Sequence, residues 1–290
     1  MVTQYSYENI IALNKYNRFI LPIYIVDIID EYTKLVSSPS YIKSPHFVLK
    51  RSIILDNTRN NFQHIKDTIK KILNKITEKN YDKLSIELLS NLKNLIQETK
   101  NIDDNNNIIE KTVEMIFNNF FTNSVNIDLN IKIVNILIYE FNYFQDYLDN
   151  FIDNCKNLQN EIEICKSISF EEIDRINKKN NIVKNKIAFL CKLENIKKIE
   201  KKDINKLIIN YQNLFNNLLN QDYSKMECDE IAELILTFLN QKESLDINDS
   251  LESIIIKNIN SIIETNVIHK KNLSVKIILK HKNILRKLKL

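Results

Sequence analysis

The stretch IKDTIKKILNKITEKNY, Ile65 to Tyr81, decides the fold. Its apolar side chains Ile65, Ile69, Ile72, Leu73 and Ile76 recur at i, i+4, i+7, i+8 and i+11. That spacing lays them along one stripe of an α-helix and does not alternate as a strand would. Thr77 to Asn80 interrupts the pattern, and Tyr81, Leu84, Leu88, Leu92 and Leu95 open a second stripe. Neither stripe can be buried by its own helix, so each helix must pack on its neighbours.

The same period continues. IDDNNN (Ile102 to Asn107) reads as a polar loop; Val113, Ile116, Phe117 and Phe120 begin a third helix, and Ile133, Ile136, Leu137 and Phe141 sit on a fourth. Further helices are expected over YFQDYLDNFIDNCKNL and over about 171–194, 203–220, 229–241, 248–265 and 272–289. About ten helices joined by short polar loops make an all-α protein. All three prolines precede residue 46, and SSPSYIKSPHF (Ser37 to Phe47) reads as an extended linker. The chain therefore divides into an N-terminal arm, with residues 1–20 and 21–50 as its parts, and a helical body over 51–290. Pairs of helices about 40 to 50 residues long in series fit an α-solenoid of about five HEAT-like pairs. A compact irregular bundle is the alternative, because periodicity gives helices and not their stacking.

Composition narrows the chemistry. The 290 residues include no glycine, although average usage is about 7%. Phosphate loops, dinucleotide fingerprints and nucleophile elbows need glycine for positive φ or close backbone approach, so none is built here in the usual way. Part of the bias reads as an AT-rich coding sequence. His46, His64, His269 and His281 stand apart, without a cysteine or carboxylate arrangement for a triad or metal site, so no catalysis and no cofactor are expected. Cys155, Cys165, Cys191 and Cys228 are widely spaced and read as reduced thiols of a cytoplasmic protein. FILPIYIVDII (Phe19 to Ile29) is the most apolar run, but Pro22 and Asp27 break it well short of a membrane span. The first residues lack a secretion signal.

One segment is more specific than its period. ILNKITEKNY (Ile72 to Tyr81) strongly resembles the first helical repeat of the middle domain of eukaryotic translation initiation factor 4G, whose pattern is I-L-N-K-L-T-P-x-x-F. The likeness continues in order. VEMIFNNFFTNSVNIDLNIKIVNIL (Val113 to Leu137) resembles the second repeat and NKIAFLCKLENI (Asn185 to Ile196) the third. ECDEIAELILTFL (Glu227 to Leu239) resembles a fourth-repeat helix, and LSVKIILKHKNILR (Leu273 to Arg286) the terminal helix. Glu78 stands in place of the family's proline, so the helix start there must be specified differently. Ala188 and Cys191 replace a glycine and a phenylalanine, and the family's charged insertion shrinks to KSISFEEIDRINKKNN. The size and composition suggest a minimal or viral version.

The resemblance implies a scaffold, monomeric within a larger complex, with three kinds of partner. Factor 4G carries a Y-x-x-x-x-L-Φ peptide for the cap-binding factor 4E, and YSYENII fits it with Tyr5, Ile10 and Ile11, alone among the twelve tyrosines. On a partner the turn near Glu8 would form and the isoleucines would enter an apolar groove; the other reading is an N-terminal helix whose isoleucines pack on the body. A DEAD-box helicase of the 4A kind is the second partner, with Leu73, Ile76 and Tyr81 at the contacting positions. The same stripe also carries core positions. With no tryptophan in the chain, Phe47 is the stand-in for an anchor some relatives place ahead of the domain. RNA is the third. No acidic residue follows Glu264, and Lys270, Lys271, Lys276, Lys280, Lys282, Arg286, Lys287 and Lys289 suit salt-sensitive, non-specific phosphate contacts. The alternative is a solvated last helix with cations near its C-terminus. A helicase-binding repressor, an mRNA-decay factor with the same domain, and a helical scaffold outside translation are the other functional readings.

Overall fold

The computed structural model describes residues 57–100, 105–123, 126–164, 169–220, 225–265 and 272–288. The chain divides at Leu55/Asp56 into two units, and all described residues belong to the second. The helices there are α1 (Asn57–Lys75), α2 (Tyr81–Thr99), α3 (Asn105–Thr122), α4 (Ile127–Glu140), α5 (Asn142–Asn154), α6 (Phe170–Lys192), α7 (Lys201–Leu219), α8 (Lys225–Asn240), α9 (Ser250–Glu264) and α10 (Val275–Lys287). Two 3-10 segments, Cys155–Glu161 and Leu193–Ile196, extend α5 and α6. The described residues form no strand, so the body is all-α.

The connection after the deciding stretch is made by one side chain. Asn80 Oδ1 accepts the Thr77 backbone N–H at 2.6 Å and Asn80 Nδ2 donates to the Lys75 carbonyl at 2.9 Å. One carbonyl left open at the end of α1 is thereby satisfied, and the chain is turned into α2 without the family's proline at Glu78. Local boundaries differ from the sequence expectation at several places. Ile76, expected on the first stripe, lies just past the end of α1. Asn105–Asn107, read as loop, forms the first turn of α3; free N–H groups at a helix start suit short polar side chains, so asparagine there does not end a helix. Phe141 is not on α4 but extended, at φ −142 and ψ 118, between α4 and α5. It packs beside Phe144 with ring centroids 6.0 Å apart, so packing holds it where helical period would have continued.

A chain without glycine must still reverse direction. After Ile196, Lys197 takes φ 56 and ψ 32, the left-handed region usually given to glycine. The Lys198 N–H then returns to the Leu193 carbonyl at 3.1 Å, closing the helix end.

Packing is only partly regular, and α3 packs on α6 as well as on α5. Each helix from α1 to α3 packs on the second one along, α4 packs on α6, and α6 on α8. In the last two pairs α7 lies on α8 and α9 on α10, while α7 also meets α9 and α8 meets α10. Rings of Phe117, Phe120, Phe121, Phe151 and Phe189 fill the space among α3, α5 and α6; Phe121 and Phe189 meet edge-on with centroids 5.4 Å apart. Burying each such ring contributes roughly 1.5–3 kcal/mol, which explains why these helices associate despite modest individual propensity. Further along, Tyr211, Phe215, Phe238, Ile255 and Ile259 continue the same buried cluster.

Candidate functional site

The α1–α2 connection is where the sequence is most specific, and it splits the three positions expected to meet a helicase. Leu73 and Ile76 are 6% and 3% exposed and lie inside the core cluster. That corrects their reading as contacts: Leu73 shares the α1 stripe with Ile69 and Ile72, Ile76 is buried just past the helix end, and side chains packed into the core have no surface left for a partner. Tyr81 is different. Its ring is half-buried at the start of α2, with Lys132 Nζ of α4 5.9 Å from the ring centroid. Burial, and then the Asp82 carboxylate, hold its hydroxyl above the ordinary pKa, so it is a neutral donor and acceptor. Beside the connection, exposed Asn74 receives amide hydrogens from Asn119 at 2.9 Å and Asn123 at 3.3 Å. Those side chains cross from α3 and its end to the last turn of α1.

The basic end of the chain is also divided. Lys276 lies 3.5 Å from Glu233 of α8, and Lys280 pairs with the same carboxylate. Burial works against the charge on Glu233, but Lys280, Lys184 and Lys276 outweigh it and hold the carboxyl below its usual range. Lys287 Nζ donates to the Asn240 carbonyl at 2.5 Å. Lys282 and Arg286, one turn apart, remain exposed and form no ion pair among the described residues. With Val275 and Leu279, 57% and 55% exposed, they share one outward face of α10. Its inward face carries His281, fully buried, whose Nδ1 meets the Ile277 carbonyl at 2.8 Å; burial lowers its pKa and keeps the ring neutral. Tyr5, Ile10, Ile11, Phe47, Lys270, Lys271 and Lys289 lie outside the described residues.

Sequence reasoning missed the surface where α5 meets α2 and α3. Tyr139 is 88% exposed, Tyr143 is also exposed, and grooves run along both sides of α5. The signal was present: between Lys132 and Lys156 the chain has four acidic residues and no lysine or arginine at all.

The described thiols are free, and burial pushes Cys191 up to about 12 and Cys228 up to about 11, so neither is a ready nucleophile. Among the described residues no group of three or more His, Cys, Asp or Glu is placed to hold a metal, and no helix is long and apolar enough to cross a membrane. Set against known proteins, the chain matches no family model, no curated protein and no solved structure.

Proposed function

We propose that this chain is a cytoplasmic translation-initiation scaffold of the factor 4G kind. Its body would be an α-solenoid of HEAT-like pairs, and the recurrent packing of most helices on the second one along supports that arrangement over an irregular bundle. The observation that carries the functional reading is ILNKITEKNY, which supplies the end of α1, the Asn80-built turn and the start of α2. Tyr81, with Lys132, is the surface offered to a 4A-like DEAD-box helicase. Holding both lobes of the helicase near their closed arrangement would raise that state's population. Tyr5, Ile10 and Ile11 hold a 4E-like cap-binding protein. RNA phosphates meet Lys282 and Arg286, since Lys276 and Lys280 already face Glu233.

Replacing Tyr5→Ala and Ile10→Ala together tests the bridge. The double variant is expected to lose capture of a 4E-like protein while its circular dichroism and its capture of the helicase stay as they were. Unaltered capture of the cap-binding protein refutes the bridging role.

A further inference from the structure

A groove of about 580 Å³ runs between α3 and α5, lined by Glu110, Val113, Glu114, Tyr143, Asp146 and Tyr147. Its walls are fixed from behind. The Tyr147 ring stacks on the buried Phe117 ring with centroids 4.4 Å apart and planes 22° apart. Tyr143 stands one turn earlier on the same helix, and Glu110 and Glu114 are likewise one turn apart on α3. Two tyrosines thus line the groove from one helix and two carboxylates from the other, with Asp146 beside the tyrosines.

Charge decides what fits. Glu110, Glu114 and Asp146 form no ion pair among the described residues, in contrast to Glu140 nearby, which Lys93 holds at 2.9 Å. Lys111 is the one cation lining the groove, against three carboxylates. Aromatic faces and free carboxylates together favour a planar cation, which stacks on the ring while donating to the acids. Arginine meets both demands at once; lysine, a hydrated point charge, meets only the second. An anionic or purely apolar partner would meet repulsion or unmatched carboxylates here.

We infer that the α3–α5 groove is a docking site for an arginine-bearing basic segment of a partner protein, with guanidinium groups seated between Tyr143 and Tyr147 and the Glu110–Glu114 pair. The site is separate from the Tyr81 edge and from the cationic face of α10, and it stands whether or not the translation reading does.

The probe is a fluorescently labelled nonapeptide alternating arginine and serine, titrated with the full chain and followed by anisotropy. Its twin carries citrulline, which keeps the shape of arginine and removes the charge. Saturable binding is expected for the arginine peptide, and binding at least about tenfold weaker for the citrulline peptide. Glu110→Gln with Glu114→Gln, both exposed, is expected to weaken binding about tenfold, and Tyr143→Ala more than Tyr143→Phe. Glu171→Gln with Glu172→Gln removes the same charge from α6 and is expected to change little. No saturable binding, equal binding of the two peptides, or an equal loss in the α6 control would overturn the inference. So would concentration-dependent dimers abolished by the Glu110/Glu114 variant, which would assign the groove to a second copy.

Discussion

The carboxylate of Glu252, on α9 and without any exposed surface, lies 3.1 Å from Nζ of Lys201 on α7 and 3.4 Å from Nζ of Lys242 after α8. It also accepts the Asp246 backbone N–H at 2.7 Å and the Asn205 side-chain amide at 3.3 Å. One buried acid therefore ties together three successive parts of the chain where no glycine turn is available to fix them.

That arrangement sets a pH dependence. Burial alone would raise the Glu252 pKa, but the Asp246 N–H, the two lysines and Asn205 outweigh it and hold the carboxyl below its usual range. A depressed acid contributes stability that is present above its unfolded pKa of about 4.3 and is lost as pH falls through the folded value. Urea unfolding between pH 7 and pH 3 is expected to show this fall in the native chain and a shallower one in Glu252→Gln. Parallel curves would contradict the assignment. Glu252→Ala, which strands Lys242 and Asn205, is expected to cost about 3 kcal/mol at neutral pH.

Asn80 supports a local prediction. Asn80→Ala removes both side-chain bonds at the α1–α2 connection and is expected to cost about 1 kcal/mol in urea unfolding, with faster amide exchange at Thr77. Asn80→Asp keeps the acceptor and loses the donor, and should fall between the two. No change in either measurement would mean that packing of α1 on α2 alone sets the turn.

Lys197 gives a prediction of opposite sign. A side chain in the left-handed region costs about 1 kcal/mol that glycine avoids. Lys197→Gly is therefore expected to stabilise the chain by up to about 1 kcal/mol, and Lys197→Val, branched at Cβ, to destabilise it. A melting temperature lowered by the glycine would show that Lys197 makes contacts outweighing its backbone strain.

Much of this fold was legible because period is written in side chains. Ile65 to Leu73 and Tyr81 to Leu95 fall on helices as their spacing requires, while Ile76 lies just past the end of α1, one residue ahead of the break at Thr77 to Asn80. Legibility failed where tertiary packing outranked period. Phe141 leaves its helix to meet Phe144, and the asparagines at 105–107 enter one because a first turn tolerates them. The candidate site failed differently. Leu73 and Ile76 fit both a core and a partner role in the sequence, and side chains buried in the core cannot serve both. The pairing of Lys276 and Lys280 with Glu233, 43 and 47 positions away in the chain, has no local signature. Tyr143 and Glu114 are separated by a whole helix, so the groove they share emerges only when α5 folds back on α3.

The central claim is that this helical body holds translation machinery together. Its most direct test is affinity purification of the tagged full chain from cells that make it, with the bound proteins identified by mass spectrometry. The account predicts a 4A-like DEAD-box helicase and a 4E-like cap-binding protein, with the helicase reduced in Tyr81→Ala and the cap-binding protein reduced in Tyr5→Ala with Ile10→Ala. Recovery of neither protein, at bait levels that capture other partners, would contradict it.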